Sequence, residues 1–384
     1  MPRSTDSSPP HRAPLPASRH PGVLRAVLAF PVLCLGLLVA CKTADEAPQP
    51  LLYSFQGTTM GTYYVAKVVQ PPESPLDGAA QEALLEVIEQ ELEAVNGAMS
   101  TYQDDSELSR FNAAPAGEPF VVSQETFRVF ATAIEMNERS RGTLDITVGP
   151  LVNAWGFGPG LEPTEIPDAH RLQELLSLVG LEHLSLDPTS RTVTKAHDGV
   201  YCDLSSLAKG FAVDQVVETL IARGHRNVMV EVGGEVRASG ANLEGKPWRL
   251  GIESPAAARG QVQRIVALQD RAMATSGDYR NYTERNGVRL SHLIDPRTGR
   301  PIDHRLASVS VVDESCMTAD AWATALMILG PEEGLSVADE LGLAVLFLVR
   351  EDESFQELPS RAFAADYLSA VAGAAPTQGQ GETP

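Results

Sequence analysis

Several stretches of this chain hold side chains suited to a phosphate-bearing substrate. In Thr318-Ala-Asp320-Ala-Trp-Ala323-Thr324, Asp320 and Thr324 stand at i and i+4. A helix there, capped by Thr318, would put a carboxylate and a hydroxyl on one face. Hard cations such as Mg2+ take oxygen ligands of this kind and share them with substrate phosphate. An aspartate in a first helical turn also complements the helix dipole without any ligand. Asp203-Leu-Ser-Ser206-Leu-Ala-Lys209-Gly reads as a loop entering a helix, whose first amides favour an anion and whose lysine can meet a phosphate. Trp155 and Phe157, on either side of Gly156, offer planar faces to a flat ring or fill a core. His292, close to Asp295-Pro296, suits proton transfer or a plain polar contact.

Other chemistries are excluded. Ser206-Leu-Ala-Lys209 has the S-x-x-K form of penicillin-binding enzymes, but no S-D-N or K-T-G partner follows. No G-x-G-x-x-G opens a helix after a strand and there is no Walker A loop, so Rossmann and P-loop nucleotide binding are ruled out. The 384 residues carry 30 Lys and Arg against 50 Asp and Glu, a formal charge of -20, which argues against nucleic acid as a partner. Four cysteines, at 34, 41, 202 and 316, form no C-x-x-C pair, so neither a zinc ribbon nor a disulfide framework is expected. Cys202 and Cys316 could form a single disulfide or remain two buried thiols.

The elements that must position these residues can be traced from periodicity. A hairpin of Tyr53–Gln56 and Thr62–Val69 is expected around a Gly-Thr-Thr-Met-Gly turn, then helices over 80–96 (Leu84, Ile88, Leu92, Val95), over 124–139 capped by Ser123 (Phe127, Phe130, Ile134), and from Asp168 to Gly180. His183–Asp187 and Arg191–Thr194 form a second hairpin, and a helix from Ser206 to Arg223 closes at Gly224. Strands at Val228–Val232, Trp248–Ile252 and Arg264–Leu268 precede helices at Ala319–Leu329 and Glu332–Leu341 and a strand at Leu343–Val349. Without strict βαβ alternation the chain reads as α+β with mixed or antiparallel sheets flanked by helices. Residues 372–384 lack apolar periodicity and are expected to be a disordered tail.

The beginning of the chain reads as an address. Arg25 precedes an apolar run of about fifteen residues that contains Pro31, too short to span a bilayer but suited to a signal peptide. It ends in Leu38-Val-Ala-Cys41, which resembles a bacterial lipobox. Cleavage would leave Cys41 as a lipidated first residue, and acyl chains, not charge, would hold this acidic protein to a membrane. The expected organisation is a signal peptide over 1–40, a lipidated Cys and tether over 41–52, one functional domain over 53–350 and a C-terminal segment over 351–384.

The ordered segments MGT, MSTY with SELSRFN, DITVGPLVNAWGFGP, DLSSLAKGFAVD, VEVGGEV, ATSGDYRNY, SHLIDPRTGRP and TADAWATAL, spread over about residues 55–350, resemble the FAD:protein FMN transferase family of extracytoplasmic lipoproteins. The resemblance implies two intimately packed α/β subdomains with FAD in the groove between them. It further implies Mg2+ on the pyrophosphate and transfer of FMN to a Thr hydroxyl of an acceptor flavoprotein, such as a membrane redox-complex subunit, with AMP leaving. Carried over by motif, the FAD contacts are Met60, Tyr102, Trp155, Gly156, Phe157, Asp203, Lys209 and Ile294. The metal ligands are Ser206, Asp320, Ala323 through its carbonyl, and Thr324, and His292 is the acid-base residue. Asp278 and Tyr279 belong to the site without an assigned role. The family often has Gly or Ala where this chain has Ser205 and Ser206, so carbonyl and hydroxyl both stand as ligands at 206. An FAD pyrophosphatase and a flavin-storing lipoprotein are the alternatives, and the implied location is the periplasmic side of a membrane.

Overall fold

Eight strands run side by side in the order of the chain: β1 (Leu51–Thr59), β2 (Thr62–Gln70), β3 (Asn227–Val232), β4 (Glu235–Ser239), β5 (Arg271–Gly277), β6 (Leu306–Asp313), β7 (Ala344–Glu351) and β8 (Ser354–Pro359). Every neighbouring pair is antiparallel. The computed structural model describes residues 48–159, 166–255, 261–278, 282–285, 288–352 and 354–368. The signal segment, Cys41, Tyr279 and the tail at 372–384 therefore lie outside the described residues.

Long insertions leave this meander and return to it. Between β2 and β3 come α1 (Gly78–Met99), α2 (Gln124–Arg139), α3 (Gly149–Trp155) and α4 (Ser205–Ala222); between β6 and β7 comes α5 (Cys316–Leu341). Asp77 and Ser123 cap the first two helices through their side chains, as short polar residues at a helix start do. α5 is two helices joined at Gly330, whose backbone is not helical, with Pro331 next, so the two separate helices expected here are what the chain forms. Its cap is Ser315, while Thr318, expected as cap, donates its amide to the Ser315 hydroxyl from inside the helix.

Strand periodicity divides two apolar clusters between the faces of the sheet. Val228, Val230 and Val232 of β3 join one cluster with Leu207 and Phe211 of α4 and Trp322 of α5, while Met229 joins the other with Trp248, Ile252, Val266 and Phe363. The second cluster is covered by the hairpin of Trp248–Glu253 and Val262–Leu268. β6, buried at every position but its last, is covered on both faces. Each fully buried Val, Leu or Phe contributes about 1.5–3 kcal/mol, whereas an exposed pair such as Arg139–Glu135 adds about 0–1 kcal/mol. The frame is therefore held by its two apolar layers. A third, smaller cluster joins α3 to the helix Ala169–Leu176 and Ile294.

Three expected boundaries move. The β1–β2 connection is only Met60-Gly61, because Gly57, Thr58 and Thr59 pair with β2. Leu51 and Leu52, taken as the end of a tether, already belong to β1. The sheet also continues past residue 350, since β8 pairs with β7 and Phe363 is fully buried beneath it.

Candidate active site

The floor of the site is the crossing of α4 and α5. The segment entering α4 is fixed by Asn112, whose amide donates to the Cys202 carbonyl at 2.9 Å and whose oxygen accepts from the Cys202 N–H at 2.7 Å. Asp203 then accepts from the Ser205 amide at 2.9 Å. Gly210 allows the two helices to touch: a Cβ there would lie 2.3 Å from the Cys316 carbonyl oxygen, so any side chain would force them apart. One turn on, buried Asp214 accepts from the Ser315 hydroxyl and from the amides of Cys316 and Met317, and it pairs with Arg237 at 2.8 Å. This binds the start of α5 to α4. Asp320 then meets the Gly210 N–H at 3.0 Å and Lys209 Nζ at 3.5 Å. That N–H is the regular helical partner of the Ser206 carbonyl, so the carbonyl competes with a carboxylate for it.

Charge is concentrated at this crossing. Lys209 Nζ donates to the Ser205 carbonyl at 3.2 Å and lies 3.7 Å from Glu235 Oε1. Burial works against its charge, but Asp320 and Glu235 together hold the ammonium above its ordinary pKa. Burial lifts both acids: Asp320 rises despite Lys209, and Glu235 is pushed up to about 8, with the Asp320 charge adding to the rise. Glu235 opens β4 directly after Gly233-Gly234, whose φ values of 64° and 114° make the turn a glycine turn. Its Oε2 is buried and has no hydrogen-bond partner among the described residues.

Aromatic groups form the rim. Tyr102 is 71% exposed and its hydroxyl donates to the Phe157 carbonyl at 3.3 Å. Burial of part of its ring, then the charge of Asp203, raises the phenol pKa. The Phe157 and His292 rings stand edge to face with centroids 6.4 Å apart. Met60, at the β1–β2 turn, takes φ of 48°, an uncommon conformation for a residue with a side chain.

Met60, Tyr102, Phe157, Asp203, Ser206, Lys209, His292, Ile294, Asp320 and Thr324 all line one cavity of about 690 Å³, inside the range of about 300–1,000 Å³ usual for small-molecule and cofactor sites. Three residues expected to contact FAD or the metal do not line it. Trp155 is buried in the third cluster, its indole N–H donating to the Gly299 carbonyl at 2.8 Å, so it supports the wall and offers no face to a ligand. Gly156 ends α3 in a left-handed conformation and turns the chain toward Phe157. The Ala323 side chain is packed in the main core, which leaves only its carbonyl as a donor. Thr324 Oγ1 lies 3.3 Å from Ser276 Oγ, another lining residue.

Glu235 and Ser276 also line the cavity, and neither stands out by residue spacing, although both lie in the motifs VEVGGEV and ATSGDYRNY. The signal for Glu235 was a carboxylate placed by a double-glycine turn beside a strand. Asp278 pairs with Arg350 and does not line the cavity. Cys202 and Cys316 are free, buried thiols, each raised in pKa chiefly by burial. Among the described residues no group of three or more His, Cys, Asp or Glu side chains is placed to hold a metal ion.

Residues 60–347 match the ApbE family. The chain belongs to that family. Curated ApbE relatives named FAD:protein FMN transferase include those of Vibrio cholerae, 48% identical over 85% of this chain and 95% of the relative, and Haemophilus influenzae, 45% identical over 85% and 93%. The Escherichia coli K12 relative of the same name is 38% identical over 85% and 93%. The solved flavin transferase ApbE of Vibrio cholerae superposes with a TM-score of 0.75 at 46% identity, covering 83% of this chain and 99% of that one. The Pseudomonas stutzeri flavinyl transferase ApbE gives 0.76 at 40% identity, covering 83% and 98%.

Proposed function

We propose that this chain is an FAD:protein FMN transferase that moves FMN from FAD onto a threonine hydroxyl of an acceptor protein and releases AMP. The observation that carries the reading is the cavity itself, which joins an aromatic rim to a floor where Lys209 stands between two buried carboxylates. The flavin is received at the rim by Tyr102 and Phe157, and the diphosphate meets Lys209 and the first turn of α4. His292 takes the proton of the acceptor hydroxyl; the new O–P bond forms as the P–O–P bridge breaks, and the AMP phosphate leaves with the electron pair.

Mg2+ suits the donors available. A buried carboxylate on Asp320, the Thr324 hydroxyl, the Ala323 carbonyl and the contested Ser206 carbonyl are all hard oxygen donors. Bound there, the ion supplies Lewis-acid neutralisation of the diphosphate. The side chains have the complementary task of orienting the diphosphate and excluding water.

The same reading places the protein outside the cytoplasm, anchored to a membrane through Cys41, supported by the apolar run that ends at that cysteine. Among the described residues no helix is long and apolar enough to cross a membrane. A Cys41→Ser chain that still incorporates labelled palmitate would refute the anchor.

The test of activity incubates the protein with FAD, Mg2+ and an acceptor flavoprotein domain, followed by mass spectrometry. FMN bound to an acceptor threonine supports transfer, free FMN alone means hydrolysis, and intact FAD means storage. His292→Ala should slow transfer by about 100- to 10,000-fold with FAD affinity retained. Equal loss of affinity would deny His292 its role in proton transfer.

A further inference from the structure

Glu235 is an acid of the cavity floor to which the proposed reaction gives no contact with substrate. It is 3% exposed, lines the cavity, and faces Lys209 through Oε1. Its Oε2, buried in the same place, is unpartnered among the described residues. A buried acceptor left unpaired costs about 1–3 kcal/mol, and native chains keep such a group when a ligand supplies the missing bond. The segment that places it is built for the purpose. Glu231 and Val236 pair across a turn in which Gly233 packs against Thr62, so Glu235 is delivered at the first position of β4 with little freedom.

The chemistry of the missing partner follows from the neighbours. Phosphate oxygens only accept, so the diphosphate that meets Lys209 could bond Oε2 in the protonated form alone and would repel it once ionised. A hydroxyl both donates and accepts, which suits the carboxyl in either protonation state. In a dinucleotide, the hydroxyls adjoining the diphosphate belong to the two sugar-like chains that flank it. We propose that Glu235 is a substrate-binding residue, its Oε2 bonded to a hydroxyl of a polyol or ribose chain next to the diphosphate while its Oε1 holds Lys209 toward the phosphates. This inference rests on the FAD reading and adds to it a residue that recognises the sugar-like part of the substrate.

The experiment is calorimetric titration of the purified full chain with FAD, FMN and ADP, each in excess chelator so that no turnover occurs. Wild-type protein that binds no FAD would sink the transferase reading itself. If it binds, Glu235→Leu should weaken FAD by about tenfold, while Glu235→Gln, which keeps an acceptor oxygen and the same shape, should stay within about threefold. The loss should recur with one half-molecule only: with FMN if the contact is the ribityl chain, with ADP if it is the ribose.

Three results would overturn the proposal. The first is a Leu chain that binds FAD like wild type. Gln could fail as badly as Leu, which would mean that Glu235 acts only as the counter-charge of Lys209. A loss seen only after Mg2+ is restored would make the partner a metal-held water. Thermal melts of both variants establish that folding is intact, and should Leu not fold, the Gln titrations with FMN and ADP against wild type decide: a weakening beyond threefold with both overturns the proposal, and its absence with both supports it.

Discussion

At the crossing of α4 and α5, Asp320 is 2% exposed and tied to two groups of the opposite helix, whereas Tyr102 at the mouth is 71% exposed and held by one hydroxyl contact to a loop carbonyl. The floor is built like a core: a glycine removes the space between helices, an aspartate spans both, and every charged group faces another. The rim is built on loops and presents faces, not fixed charges. The contrast teaches that the part of the site handling charge must be rigid before substrate arrives, since reorganising buried charge is costly, while a flat ring is gripped by contact area and tolerates adjustment.

Substitutions can break that comparison. The largest effect is expected at Asp320: Asp320→Ala should reduce transfer by about 100- to 1,000-fold, and its residual rate should no longer respond to Mg2+ or to chelator. A residual rate that still follows Mg2+ would remove Asp320 from the ligand set. Gly210→Ala, far smaller chemically, attacks the floor through packing and should cost about 1–3 kcal/mol of stability, seen as a fall of several degrees in melting temperature. An unchanged melting curve would mean that the helices have room to separate.

The rim should respond otherwise. Tyr102→Leu should leave the melting temperature in place and weaken FAD by about 2- to 10-fold; a stability loss like that of Gly210→Ala would erase the distinction between rim and floor.

The narrowest effect, confined to one pH window, concerns a single proton on Glu235. Glu235 is lifted from 4.5 to about 8 by burial, so the folded chain binds that proton more tightly than the unfolded one. The stability this lends is present at low pH and is lost as pH rises between those values. In chelator, the melting temperature of wild type should therefore fall relative to that of Glu235→Gln from about pH 5 to about pH 8. Two parallel curves would show Glu235 to be less buried in charge terms than its geometry implies.

Much of this was legible in the residues. The helix caps at Ser123 and Asp168, the β1–β2 hairpin and the break in α5 at Gly330-Pro331 each have a local cause, and the α+β class with mixed or antiparallel sheets was readable from the lack of strict βαβ alternation. β6 was not legible, because a strand covered on both faces has no alternation to detect. β4 and β5 were hidden inside motifs read for their chemistry. At the site, Asp320, Lys209 and Asp203 could be found from local spacing, and the resemblance supplied Met60, Tyr102 and Ile294. Trp155 stayed open between stacking and core packing, since a tryptophan on a short helix has both roles with the same local pattern, and its side chain is buried with its N–H on the Gly299 carbonyl, distant in sequence.

The hairpin at the start of the domain has one more consequence. β1 enters at Leu51 and runs nine residues to the turn that brings Met60 to the cavity, a straight reach of about 30 Å at the usual rise of a strand. The opening is therefore held at a set distance from Leu51, where the sheet begins. For the proposed transfer, an acceptor would meet the opening at that distance from Leu51.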